Sequence, residues 1–170
     1  MEFIDIVKNR YSCKNFSDKE VEKDKLDTIL EAGRLAPTAK NNQIQRIYVA
    51  QSNESLSKVD KLTPCRYNAP FVLLIAYDKE EAFVYPGEKH NSGIEDASIV
   101  ASHMILSATS LGVDSCWLNF FDPDKAKEEF SLPENENIVA MIDLGYANDG
   151  VEPLENHFKR KDINETVKFI

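Results

Sequence analysis

The sequence contains no apolar run long enough to cross a membrane as a helix. Such a helix needs about 20 predominantly apolar residues, and the longest run in this chain, Ala69–Tyr77, falls well short and is typical of a buried strand. The opening residues also lack the successive basic, apolar and small-residue zones of a signal peptide. We therefore expect a cytoplasmic protein with no membrane partner.

Glycine is scarce, and the phosphate-binding loops that depend on it are missing. None of the 6 glycines falls into G-x-G-x-x-G or G-x-x-x-x-G-K-[ST], so a nicotinamide nucleotide is not bound through a dinucleotide-binding fold. The G-x-S-x-G elbow of many hydrolases and the H-E-x-x-H zinc motif are also absent. Because the 3 histidines are isolated and no acids cluster at ligand spacing, we expect no metal site.

Cysteine is rare as well. The 3 cysteines, Cys13, Cys65 and Cys116, are too few and too widely spaced for a disulfide framework or a zinc knuckle. A nucleophilic cysteine would need a nearby base, and the sequence shows no such pairing. We interpret all three as reduced thiols.

Positive charge is in short supply, which makes its local placement informative. The net charge of −9 argues against nucleic acid as a partner, because nucleic-acid binding needs a broad positive field. Against this background Arg10, Ser12 and Lys14 alternate directly after a short apolar stretch. On an extended segment they would point the same way and suit an anionic ligand. The alternative is a solvated surface without a ligand.

The hydrophobic pattern predicts a mixture of helices and strands. Helices are predicted at 2–9, over Leu26–Gly33 after a capping box at Ser17–Glu20, around Leu56–Leu62, at 94–112 and at 122–130. Strands are predicted at 43–50, 71–77, 113–120 and 137–147, and a long polar loop at 79–93. The interleaving of these helices and strands favours one sheet flanked by helices, in an α+β or α/β arrangement, with residues 1–170 as a single domain.

Three further segments carry polar or basic groups that packing alone does not require. The first is a turn just past a helix end, with Pro37, Thr38, Asn41 and Gln43. The second ends a predicted strand, with Trp117, Leu118 and Asn119. The third is a basic patch near the C-terminus, with Lys159, Arg160 and Lys161. Taken singly, they could be an ordinary polar loop, a core aromatic and a solvated patch.

Taken together and in order, these segments resemble the nitroreductase family of FMN-dependent oxidoreductases. Its R-x-S-x-[RK]-x-F motif is present as Arg10, Ser12, Lys14 and Phe16, and its P-S-x-x-N-x-Q motif as Pro37, Thr38, Asn41 and Gln43. A long helix ending in L-G, then C-W-[IL] and F-D-P, appears as SLGVDSCWLNFFDP, and a later strand ends in L-G-Y. The basic pair Arg160 and Lys161 completes a pattern that spans nearly the whole chain.

The resemblance implies which residues contact FMN. Arg10 and Lys14, together with Arg160 or Lys161 and less strongly Lys159, would hold its phosphate, ribityl or pyrimidine end, and Tyr11 and Ser12 would line the same cradle. The turn with Pro37, Thr38, Asn41 and Gln43 would contact the flavin from the neighbouring subunit. Trp117, Leu118 and Asn119 would lie along the isoalloxazine ring, with the Asn119 N–H facing flavin N5. Lys14 would stabilise the reduced flavin. Because the flavin itself carries the redox step, the implied site needs no catalytic acid or base.

The same resemblance implies an α+β fold with a central, mostly antiparallel sheet, and a homodimer with a swapped C-terminal tail. It implies an enzyme that passes a hydride from NAD(P)H, a transient co-substrate, through FMN to a small-molecule electron acceptor by a ping-pong mechanism. The acceptor would be a nitroaromatic, a quinone or a similar compound. Many relatives have a glycine where this chain has Phe120, next to the ring. Phe120 and the short 79–93 loop leave open an alternative, an FMN-binding storage or sensing module with little turnover.

Overall fold

The computed structural model describes residues 2–170, in which helices flank one four-stranded sheet. The helices are α1 (Phe3–Asn9), α2 (Lys23–Arg34), α3 (Asn53–Leu62), α4 (Gly93–Ser110), α5 (Pro123–Glu129) and α6 (Ile163–Thr166). The strands are β1 (Gln45–Ala50), β2 (Phe71–Asp78), β3 (Asp114–Leu118) and β4 (Glu136–Gly145). Their order is β1-β2-β4-β3, and every neighbouring pair is antiparallel. The predicted α+β class is therefore confirmed, and the parallel α/β alternative is wrong.

The sheet is covered on both faces. On one face α4 packs against β2, where Leu73 and Ile75 belong to its core cluster, and α2 packs against α4. On the other face α3 packs against β2, where Val72 and Leu74 belong to the second cluster, and α5 packs against β4. Every residue of β2 is buried, which is the outcome that its continuous apolar sequence predicts for a strand with helices on both sides.

The start of α5 follows the signal in the sequence. The Asp122 carboxylate accepts hydrogen bonds from the N–H groups of Asp124 and Lys125, at 3.1 Å and 3.3 Å. Pro123 occupies the first helical turn, where its missing N–H has no intrahelical partner to lose. The predicted N-cap at Asp122 is confirmed.

The predicted capping box at Ser17–Glu20 is wrong. Helix α2 begins only at Lys23, and no side chain caps it. The reason is a long-range contact, because the N–H and the hydroxyl of Ser17 both donate to the carbonyl of Tyr146, at 2.8 Å and 3.0 Å. This contact holds Ser17 at the end of β4, well before α2 begins at Lys23, so its hydroxyl caps no helix.

The end of β4 is packed closely against residues 10–16. A Cβ atom at Gly145 would lie 2.8 Å from Cδ of Pro70 and 2.9 Å from Cδ1 of Phe16. Phe16 is buried, and it forms an isolated antiparallel bridge with Ala147. Only a glycine at this position allows the approach that seats residues 10–16 beside the sheet.

The 79–92 loop connects β2 to α4 and is one residue shorter than predicted, because α4 already begins at Gly93. Inside the loop, Val84 and Asn91 form an antiparallel bridge across a turn at Pro86. None of the helices within residues 2–170 has the length and apolarity to span a bilayer.

Candidate functional site

Residues 10–16 form an extended segment that runs beside β3. Helix α1 ends at Asn9, and Arg10 already has extended backbone angles, φ −62° and ψ 123°. Ser12 forms a parallel bridge with Ser115, and the Cys13 N–H donates to the Ser115 carbonyl at 3.0 Å. Cys13 is fully buried while Ser12 and Lys14 are exposed. Helix α1 therefore ends before Arg10, as an extended segment with Arg10, Ser12 and Lys14 on one side requires.

A cleft of about 220 Å³ opens on this segment. Arg10, Tyr11, Ser12 and Lys14 form one wall. The other wall comes from the C-terminal region, with Leu154, Asn156, His157 and Arg160. The structure thus brings residues 10–14 together with residues 154–160, which are remote from them in the sequence.

The cations at this cleft have no acidic partners. Within residues 2–170, Arg10, Lys14 and Arg160 form no ion pair with any carboxylate. Arg160 donates to two backbone carbonyls of the described residues, those of His157 and Lys159, the latter at 2.8 Å. In a chain of net charge −9, three cations facing one cleft without a counter-charge form a local site for an anion.

The structure separates the members of the basic patch. Arg160 lines the cleft. Lys159 instead forms an ion pair with Glu155, with Nζ 2.8 Å from the carboxylate. Lys161 is not among the residues that line the cleft. Among the described residues, Arg160 is the one of these three adjacent cations that lines the cleft.

Burial affects the titration of the groups behind the segment. Burial raises the pKa of the Cys116 thiol to about 11, and it also raises the pKa of Cys13. Burial, followed by the negative charge of Asp114, raises the pKa of the Tyr11 hydroxyl. All three groups are therefore neutral near pH 7, and neither of these cysteines has the character of a nucleophile. This agrees with their interpretation as free thiols.

Asp143 is the least expected group in this region. It lies on β4 directly across from Cys116 and is fully buried. Neither oxygen of its carboxyl group has a hydrogen-bond partner within residues 2–170. Burial raises its pKa to about 9, an effect that the positive charge of Arg66 partly offsets. The carboxyl group is therefore protonated and uncharged at neutral pH.

The 37–43 loop lies outside the cleft of its own chain. Thr38, Asn41 and Gln43 are absent from the residues that line it. Lys40, Asn41 and Gln43 have left-handed backbone angles, with φ of 52°, 57° and 53°. The Thr38 hydroxyl oxygen accepts the Gln43 N–H at 3.0 Å and helps to hold this conformation. Asn41 and Gln43 are exposed, as is Pro37.

The end of β3 lies outside the cleft as well. The indole N–H of Trp117 donates to the side-chain oxygen of Asn119, whose amide donates to the Val139 carbonyl at 3.2 Å. Trp117 lines a separate, more apolar cleft of about 340 Å³ together with Val7 and Ile105. Leu118 is buried. Phe120 is 73 % exposed.

Sequence reasoning missed two groups of residues around these segments. Leu154, Asn156 and His157 complete the cleft, and no periodicity or motif marks them. Asp96 is buried in the first turn of α4 and accepts the N–H of Ala39 in the 37–43 loop at 2.8 Å. Because acidic residues are common in the first turn of a helix, the presence of Asp96 there did not indicate a contact with Ala39.

The chain is similar to proteins of known family. The sequence model of a family described as "Putative TM nitroreductase" matches residues 2–169. A nitroreductase family protein from Clostridium difficile 630 is 39 % identical, with a TM-score of 0.93 over 99 % of this chain and 98 % of that one. The "Putative NADH dehydrogenase/NAD(P)H nitroreductase" of Methanothermobacter thermautotrophicus is 27 % identical over 86 % of this chain and 78 % of its own length.

A further solved structure shows the same fold at lower identity. It is described as a putative nitroreductase in complex with FMN, from Exiguobacterium sibiricum 255-15. It is 20 % identical, and its TM-score is 0.85 over 100 % of this chain and 98 % of that one.

Proposed function

The chain belongs to the nitroreductase family, and we propose that it is an FMN-dependent oxidoreductase. It would pass a hydride from NAD(P)H through FMN to a nitroaromatic, a quinone or a similar acceptor by ping-pong kinetics. We further propose that residues 1–170 form one domain of this family. The observation that carries the proposal is the group of three unpaired cations at one cleft, Arg10, Lys14 and Arg160.

These residues suit the phosphate-bearing end of FMN. Two guanidinium groups and an ammonium group are the donors that proteins use for phosphate, and a guanidinium can bind two oxygens at once. The Ser12 hydroxyl and the Tyr11 ring border the same space. Because the pKa of Tyr11 is raised by burial, its hydroxyl keeps its proton and remains a hydrogen-bond donor.

FMN, when bound, supplies the redox chemistry by taking up a hydride and giving it to the acceptor. The chain would supply binding, orientation and charge. Lys14, as the most exposed cation of the segment, would stabilise negative charge on the reduced cofactor. Since hydride transfer needs no protein acid or base, the buried neutral Asp143 and the protonated thiols have no step to perform.

We also propose a homodimer with an exchanged C-terminal tail. The tail, residues 163–170, exposes large apolar side chains, with Ile163 and Phe169 at 68 % and 97 % exposure. Phe3 of α1 is also 66 % exposed. Apolar surface of this extent is typical of an interface. In such a dimer the turn with Pro37, Thr38, Asn41 and Gln43 would reach the flavin from the partner. The strand end at Trp117, Leu118 and Asn119 would lie along the isoalloxazine ring. A monomer mass in solution with flavin bound would contradict the proposal.

The cofactor is tested by titrating the purified protein with FMN and following flavin fluorescence. The double variant Arg10→Ala with Lys14→Ala should weaken binding by about 100-fold or more, since each charged hydrogen bond is worth about 1.5 kcal/mol or more. A matched control, Lys23→Ala with Arg34→Ala, removes the same charge from exposed positions of α2 and should bind as wild type. Failure of the wild-type protein to bind FMN would refute the proposal.

The exposed ring of Phe120 favours one further candidate, an FMN-binding storage or sensing module. Both functions predict a yellow protein. Anaerobic addition of NADH or NADPH separates them, because an enzyme's flavin band is bleached and then restored by a quinone. No bleaching by either nucleotide would favour the binding module.

A further inference from the structure

The 37–43 loop and the 79–92 loop meet at one buried carboxylate in the first turn of α4. Asp96 is 3 % exposed, and its two oxygens accept different donors. One oxygen accepts the N–H of Ala39 at 2.8 Å, and the other accepts the hydroxyl of Ser92 at 2.7 Å. The Ser92 hydroxyl oxygen in turn accepts the N–H of Phe83 at 3.2 Å. A single side chain thus connects both loops.

Direct contacts between the loops reinforce this connection. The Asn42 amide donates to the Glu81 carbonyl at 2.9 Å. The Lys40 ammonium lies 4.4 Å from the centre of the Phe83 ring. Because these two contacts directly follow the bond from Ala39 to Asp96, a shift of either loop would disturb the other.

The backbone of the 37–43 loop needs such support. Lys40, Asn41 and Gln43 have φ of 52°, 57° and 53°, a region that costs a non-glycine residue about 1 kcal/mol or more. A conformation of this kind persists only where neighbouring groups determine it. The Ala39 N–H that Asp96 accepts comes directly before the first of these residues.

A carboxylate suits this position better than an amide. Both neighbours donate to it, so two acceptor oxygens are needed, whereas an asparagine offers one. The N-terminal end of α4 stabilises a negative charge in its first turn. The amide could still accept from Ala39 and let Ser92 reverse its role, so Asp96→Asn is a conservative variant.

We propose that Asp96 is a positioning residue that fixes the 37–43 loop for contact with FMN and, through Ser92, couples it to the 79–92 loop. FMN affinity and access of the acceptor would then depend on one group that touches neither molecule. The inference rests on the proposed function, because contact between the 37–43 loop and FMN is part of that proposal.

The test compares Asp96→Ala, Asp96→Asn and the control Glu95→Gln in the full-length protein. Asp96→Ala should raise the Kd for FMN at least tenfold and raise KM for a naphthoquinone, with kcat per bound FMN within about twofold of wild type. Asp96→Asn should restore both constants to within about threefold. Glu95 is the exposed neighbour whose side chain, within residues 2–170, bonds to Tyr85 of the 79–92 loop alone, so its variant should keep the wild-type Kd.

Ser92→Ala separates the two roles and guards against a misfolded Asp96→Ala. It keeps the bond from Ala39 to Asp96, so it should raise KM for the naphthoquinone while leaving the Kd for FMN within about twofold. Wild-type constants in Ser92→Ala and in whichever Asp96 variants fold would overturn the inference. A lower urea midpoint with unchanged Kd and KM would also overturn it, since that is the result of a purely structural role. A wild-type protein that binds no FMN would instead overturn the proposed function.

Discussion

The buried carboxyl group of Asp143 should make the protein less stable as the pH rises. Its two oxygens have no hydrogen-bond partner within residues 2–170, and burial raises its pKa from 3.8 to about 9. Between these values the folded chain holds a proton that the unfolded chain has released. The free energy of unfolding therefore falls by about 1.4 kcal/mol for each pH unit. The contribution is complete below pH 3.8 and is lost by about pH 9.

The variant Asp143→Asn removes this dependence while keeping the shape of the side chain. Between pH 6 and pH 8, the stability of wild type relative to the variant should fall by about 2.7 kcal/mol, which is two pH units at about 1.36 kcal/mol each. Urea unfolding at pH 6, 7 and 8 measures the difference through the single tryptophan, Trp117. FMN is left out and the protein concentration is fixed, because binding and association shift apparent stability.

A second non-titrating variant provides the control. Asp143→Leu differs from Asp143→Asn in packing and in absolute stability, but the two should differ from each other by a constant amount across the pH range. If the difference between wild type and Asp143→Asn stays within about 0.5 kcal/mol from pH 6 to 8, the reasoning is refuted. That result would mean that Asp143 is ionised in the fold, stabilised by the positive charge of Arg66.

Three other substitutions test the cleft and the fold. Arg160→Ala should raise the Kd for FMN about tenfold, the loss expected for one charged hydrogen bond. Lys159→Ala removes a lysine already paired with Glu155 at 2.8 Å and should change the Kd for FMN less than about twofold. Equal effects of the two substitutions in fluorescence titrations would contradict the placement of Arg160. Gly145→Ala should lower the free energy of unfolding, measured in urea, by about 1–3 kcal/mol, because its Cβ would lie 2.8 Å from Pro70. A wild-type free energy would show that Pro70 and Phe16 move aside at no cost. Asp122→Ala should lower the free energy of unfolding by about 1 kcal/mol through loss of the α5 cap. An unchanged urea curve would mean that solvent replaces the hydrogen bonds that this carboxylate accepts from the N–H groups of Asp124 and Lys125.

Local sequence was sufficient for most of the secondary structure. Strand β2 is predictable because its apolar run is continuous and both faces are covered. The N-cap at Asp122 is predictable because a cap acts over two or three residues. Ser17 has the same local signal and caps no helix, because its N–H and hydroxyl hold it at the Tyr146 carbonyl, remote in the sequence, and α2 begins only at Lys23. Propensity rules contain no information about such a competitor.

The candidate site was predictable in part for the same reason. The alternation of Arg10, Ser12 and Lys14 and the end of the helix before them are local, and the structure places all three at one cleft. The choice between Lys159 and Arg160 had a local signal that was available, since Glu155 stands at the i, i+4 spacing from Lys159 that favours an ion pair. The opposite wall at Asn156 and His157 depends on the path of the tail across the surface, which no local pattern determines.

The position of residues 10–16 beside β3 has a consequence for solubility. β3 is an outermost strand of the sheet, and an uncovered edge offers unpaired N–H and C=O groups to any other chain that can adopt an extended conformation. The bridge between Ser12 and Ser115 covers part of that edge. Substitutions that release this segment would therefore promote aggregation in the cell as well as impair ligand binding.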